Sequence, residues 1–95
     1  MIVVVPAAAA QADINRLTNQ LWKLIPMREN DENWQGQLDS VIVELLGLQD
    51  IYLIADDKFL TLLAKLKGLR NNEIMFSIYR KTVFECISLL REMRL

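Results

Sequence analysis

Apolar side chains recur along this chain at alternating steps of three and four. Ile14, Leu17, Leu21 and Leu24 form one such line, and Trp34, Leu38, Val41, Leu45 and Leu48 form a second. Phe59, Leu62, Leu63, Leu66 and Leu69 form a third, and Phe76, Tyr79, Val83, Cys86 and Leu90 a fourth. Steps of three and four return to one side of an α-helix, so each line predicts an amphipathic helix. Ile42 and Leu46 widen the second line to a full core face. Ile51–Ile54 is a short apolar run with β-branched and aromatic members. No second convincing strand exists to pair with it, and a lone strand leaves its backbone groups unpaired. A helical turn is therefore the preferred reading there.

Local signals place the helices near 7–25, 32–47, 56–69 and 72–93. Pro6 suits the start of the first helix, because the first turn needs no N–H there. Pro26 should end it, since the residue before a proline is pushed out of helical geometry. Asn30, Asp31 or Asn33 can cap the second helix, and Gly47 can close it. Asp56 or Asp57 can cap the third, with Gly68 or an asparagine in the left-handed position at its end. Asn71 or Asn72 can start the fourth. The expected architecture is all-α, one helical domain over 1–95 with a short extended segment at 1–6. The two candidate arrangements are a four-helix bundle and a short helical repeat of the HEAT/armadillo kind, whose unit is about 40–47 residues.

The closing stretch NEIMFSIYRKTVFECISLLREMRL carries apolar residues around most of its circumference. A chain of 95 residues is small, yet 53% of it is hydrophobic and its mean hydropathy is +0.18. Small domains bury a smaller share of their surface than large ones. Some large apolar side chains must then lie on a surface that another chain covers. The expected function is a non-enzymatic protein-interaction module, acting as a homo-oligomer or within a complex through an exposed helix face. The expected anchors are Trp34, Ile74, Phe76, Ile78, Tyr79, Phe84, Leu89 and Met93, because interfaces favour large aromatic and apolar anchors. The fourth helix is expected either at the centre of the bundle, wrapped by the other three, or as half of an interface. In either case its side near Ile74, Ile78 and Leu89 is the one left for the partner.

Charge is segregated although the net charge is only -1. Residues 1–57 hold three basic and nine acidic side chains, and residues 58–95 hold eight basic and three acidic. The two halves should attract each other, within one protomer or head to tail between two. The alternative function is a small helical nucleic-acid binder. It would use a basic strip of Lys65, Lys67, Arg70, Arg80, Lys81, Arg91 and Arg94, with LKGLRNNE as the turn of a helix-turn-helix. A fourth helix dominated by Ile, Phe, Leu and Met is a poor reader of base edges, so this reading ranks second.

Catalytic options narrow on inventory. The chain has no histidine, hence no histidine base, triad or histidine metal ligand. Its three glycines are scattered and build no phosphate loop. The pairs Asp31–Glu32 and Asp56–Asp57 sit at predicted helix starts, where acids serve as caps. Cys86, alone, excludes an internal disulfide and reads as a buried small hydrophobe. No cofactor is expected. The opening MIVVVPAAAAQA lacks the basic start of a secretory signal, and its apolar core is short. No later stretch approaches the roughly 18 apolar residues of a membrane span. A soluble, intracellular setting is the expectation.

Overall fold

The computed structural model describes residues 7–52, 57–71 and 73–92, with the backbone alone for residues 7–10 and 52. The segment 1–6 and the residues Asp56, Asn72, Met93 and Arg94 lie outside the described residues. Among the described residues there are four helices: α1 (Ala7–Glu29), α2 (Trp34–Tyr52), α3 (Asp57–Gly68) and α4 (Phe76–Glu92). Each apolar line faces the same interior. Leu17, Leu21, Leu24, Leu38, Val41, Leu45, Phe59, Leu62, Leu66, Tyr79, Val83, Cys86 and Leu90 are all fully buried.

The helices run up, down, up and down. Arg16 meets Glu44 and Gln37 meets the Gln20 carbonyl, so α1 and α2 are antiparallel. Lys65 meets Glu85 and Lys58 meets Glu92, so α3 and α4 are too. α1 packs on α2, α2 on α3, α3 on α4, and α4 back on α1; across the diagonal, Trp34 of α2 meets the Tyr79 ring of α4 inside the core. The α1–α4 contact is the most extensive of these and closes the ring. Closure selects the four-helix bundle over the helical repeat, whose first and last helices stay apart. It also removes α4 from the centre: α4 is one wall among four, with α1 and α3 as its neighbours in the ring.

Three boundaries differ from the sequence expectation, each for a tertiary reason. α1 continues through Pro26 to Glu29. The turn beyond the proline is held because Met27 packs against the core and Arg28 reaches the rings of Trp34 and Tyr79. α1 then ends in a Schellman motif. Glu32 N–H donates to the Met27 carbonyl at 2.7 Å, Asp31 N–H donates to the Arg28 carbonyl at 3.1 Å, and Asp31 takes the left-handed conformation with φ 55°. α2 continues through Gly47 to Tyr52, because Leu48 adds another buried turn while Gly47 lies on the outer side. α4 starts at Phe76 rather than 72. Asn71 Oδ1 accepts the Glu73 N–H at 3.0 Å in a local turn, and Arg28 donates to the Ile74 carbonyl. The Ile74 carbonyl, which a helix begun at 72 would give to the amide four residues on, is thereby diverted to Arg28.

The α2 cap falls on Asn33, whose Oδ1 accepts the Gly36 N–H at 3.1 Å. A Cβ at Gly36 would stand 2.5 Å from Asn33 Nδ2, so this close cap needs glycine there. Gly68 takes no left-handed cap. α3 instead unwinds through short-range bonds, with Leu69 N–H donating to the Leu66 carbonyl and Arg70 N–H to the Lys67 carbonyl.

Candidate functional site

The inner face of α4 is committed to the core through Tyr79, Val83, Cys86, Ile87 and Leu90. Helical spacing turns Ser77, Lys81, Phe84 and Ser88 to the opposite side. Ser77 and Ser88 are small, and their neighbours are large. The result is an open groove of about 620 Å³ along α4, with Phe84 and Leu89 as its apolar lining and Arg80 and Lys81 among its charged residues.

Two features shape the walls. Toward α1, the Phe84 ring meets the Trp22 ring edge-on at 5.1 Å, and the Arg80 guanidinium lies 5.2 Å from the Phe84 centroid. A T-shaped pair with a cation against it is the favoured electrostatic arrangement of such groups. Toward α3, Lys65 Nζ bonds Glu85 at 2.7 Å and Lys58 meets Glu92 at 3.5 Å. The Glu85 hydrogen bond holds the Lys65 ammonium above its usual range, and the same bond holds the Glu85 carboxyl below its own. With both glutamates held by lysines of α3, the positive charge left on the groove is that of Arg80 and Lys81.

The expected anchors divide between core and surface. Trp34 and Tyr79 are not surface anchors. They are buried and packed edge-on at 5.3 Å, and the Tyr79 hydroxyl donates to the Leu24 carbonyl at 3.1 Å. Burial pushes the Tyr79 hydroxyl up to about 12, with Arg28 opposing. Arg28 lies 4.5 Å from the Tyr79 ring centroid and 5.4 Å from that of Trp34, which locks the loop end of the bundle. Phe84 and Leu89 line the groove, and Leu89 also packs against the core. Ile74 packs partly against the core, Phe76 stacks over Tyr79 with its outer side exposed, and Ile78 is 53% exposed. Met93 lies outside the described residues.

The basic residues do not share one strip. Arg80, Lys81 and Lys65 border the α4 groove, while Arg91 lines a polar depression with Gln11, Asn15 and Asn19 of α1. Arg70 bonds Asp39 of α2 at 3.0 Å. Lys67 is exposed on α3, two positions from Lys65 and so nearly opposite it around the helix. Arg94 lies outside the described residues.

Trp22, which by type suits either the core or an interface and is not among the expected anchors, is 43% exposed. Its position signals this, since it follows Leu21 and stands off the Ile14–Leu24 line, whereas Trp34 begins the α2 line. Sequence reasoning missed Val43, Ile51 and Leu60, all exposed, and it read Leu46 as core although 40% of it is exposed.

Cys86 is fully buried, and burial pushes its thiol up to about 12, so a thiolate does not form there near neutral pH. Among the described residues, no helix is long and apolar enough to cross a membrane. No protein-family model, curated protein or solved structure matches this chain, so its function is argued from its own surface chemistry.

Proposed function

We propose that this chain is a non-enzymatic protein-interaction module that docks another polypeptide along the outer side of α4. The observation that carries this reading is the groove of about 620 Å³, in which apolar Phe84 and Leu89 lie among fixed charges. An apolar centre supplies affinity and a charged rim sets partner choice and orientation. Trp22 and Arg80 extend the groove toward α1 with side chains of the types that dominate binding energy at interfaces. This reading keeps the expected partner on an outer side of α4 and shifts its centre from Ile74, Ile78 and Leu89 toward Phe84 and Leu89.

The nucleic-acid reading has less support, because its basic residues are divided among separate surfaces and Lys65 and Arg70 already hold acidic partners. Counterion release needs several phosphates met together. The test is a photo-cross-linking amino acid placed at Ser88 in the expressed chain, with Lys23 as the control position. The proposal expects protein adducts from Ser88 and few from Lys23. Absence of protein adducts at Ser88 overturns it, and salt-sensitive nucleic-acid adducts would replace it with the alternative.

A further inference from the structure

Resting on the reading of the α4 groove as a docking surface, we propose that its occupant is a second copy of this chain, and that the element inserted is the outer ridge of α2. The contact is then head to tail. α2 and α4 occupy opposite corners of the ring; they meet across the core, where Trp34 packs on Tyr79, and their outer sides face away from each other. One protomer can therefore present its ridge to a neighbour and receive another neighbour's ridge at once.

The ridge has the shape for this. Val43 is 67% exposed at mid-helix, with Leu46 beside it. Ser40 and Gly47 are exposed on either side of Val43, and a Cβ at Gly47 would meet nothing within 4 Å. Low shoulders around a projecting apolar side chain let a second helix approach closely and receive it between its own side chains. The α4 groove offers the complement, an open cleft in which Phe84 lies between small Ser77 and Ser88, with Leu89 beyond Ser88.

The charges agree with the shapes. α2 carries Asp39, Glu44 and Asp50 and contains no lysine or arginine. The α4 groove carries Arg80 and Lys81, while its Glu85 and Glu92 are held by Lys65 and Lys58 of the same copy. Asp39 and Glu44 are likewise held by Arg70 and Arg16 of the same copy, so Asp50, exposed on the line of Val43 and Gly47, is the acid of the ridge that faces a neighbour's Arg80 and Lys81.

The segregation of charge along the chain has the same explanation. Asp13–Arg16 and Arg16–Glu44 pair within the acidic half, Lys58–Glu92 and Lys65–Glu85 pair within the basic half, and Arg70–Asp39 joins the two. Most of these pairs stay inside one half, which leaves the attraction between halves available to a neighbour. A head-to-tail contact of two different surfaces builds rings or open chains rather than a two-fold dimer.

The experiment measures mass by light scattering on the full chain and on two variants, Val43→Glu on the ridge and Lys81→Glu in the groove. Both sites are exposed, and circular dichroism melts check that each variant is folded. At low salt the wild type should grow with concentration beyond twice 11.0 kDa and shrink as salt is added. Each variant alone should associate at least tenfold more weakly. Mixed in equal amounts they should form a one-to-one complex that grows no further, because each retains the surface the other has lost. Ser88→Trp, which fills the groove without changing charge, should behave as Lys81→Glu does. A wild type that stops at a closed dimer, or variants that do not complement on mixing, overturns the inference. A monomeric wild type whose Ser88 cross-links to a different protein also overturns it, and leaves the docking role of α4 standing.

Discussion

Replacing Tyr79 by phenylalanine should lower stability at neutral pH and raise it at alkaline pH. The ring keeps its place in the core, since Phe retains the edge-on contact with Trp34 at 5.3 Å and the Arg28 contact at 4.5 Å. The loss is the hydroxyl and its 3.1 Å bond to the Leu24 carbonyl. That carbonyl lies inside α1, where the amide four residues on also serves it, so no acceptor is orphaned. The cost at pH 7 is then that of one net hydrogen bond, about 1 kcal/mol. At high pH the balance reverses. Burial raises the Tyr79 hydroxyl from 10.0 to about 12, so the unfolded chain releases this proton first. The stabilising contribution is complete below pH 10 and is lost as the pH rises toward 12. The full loss is roughly 2.7 kcal/mol for two pK units. Tyr79→Phe has no such proton, and the other ionisable groups are common to both proteins. The two stability curves should therefore cross near pH ~10.7, where the linkage loss reaches about 1 kcal/mol. Urea unfolding at closely spaced pH values, with slopes checked for constancy, measures this directly. A variant that stays below wild type by a constant margin to pH ~11.5 refutes both the burial of this hydroxyl and its bond.

Four further outcomes follow from the geometry. Asn33→Ala should cost about 1 kcal/mol by removing the α2 cap, and Gly36→Ala should lose the same cap because its Cβ meets Asn33 Nδ2; thermal melts of both and of the double variant should show less than additive losses. Asp31→Gly should raise stability by up to about 1 kcal/mol, since Asp31 holds φ 55° where glycine is unstrained, and a lower melting temperature would refute the Schellman assignment. Cys86 should resist a thiol reagent in the native protein at a rate set by unfolding, and rapid labelling without denaturant would contradict its burial. Trp34→Phe should leave a tryptophan that acrylamide quenches readily, and Trp22→Phe one that is shielded, since Trp22 is exposed and Trp34 buried.

The lines at steps of three and four carried the core almost unaided. Leu17, Leu38, Leu62 and Val83 each sit where the helical period puts them, because side-chain direction on a helix is a local property. What escaped depended on contacts between distant segments. Pro26 is a helix breaker by local rule, yet Arg28 beyond it finds Tyr79 and the Ile74 carbonyl, and those contacts maintain the turn. The start of α4 moved for the same reason. Tyr79 and Trp34 look like interface anchors by type, and only the ring closure of α1 on α4 shows that the bundle itself uses them. The groove was partly readable. Phe84, Leu89, Arg80 and Lys81 were all marked as candidates, but under two competing readings, and the placement of Ser77 and Ser88 between them unites them. Val43 passed unnoticed because a single valine off the apolar line carries no signal until its exposure is known.

The proposed contact seats the α2 ridge of one copy in the outer side of α4 of another. A photo-cross-linker at Ser88 in the purified chain, with light and heavy isotope copies mixed, tests this most directly. Mass-spectrometric mapping should find mixed-isotope adducts on α2 around Ser40, Val43 and Gly47. Adducts confined to one isotope, or mixed adducts that map to α4 itself or scatter over the surface, would contradict it.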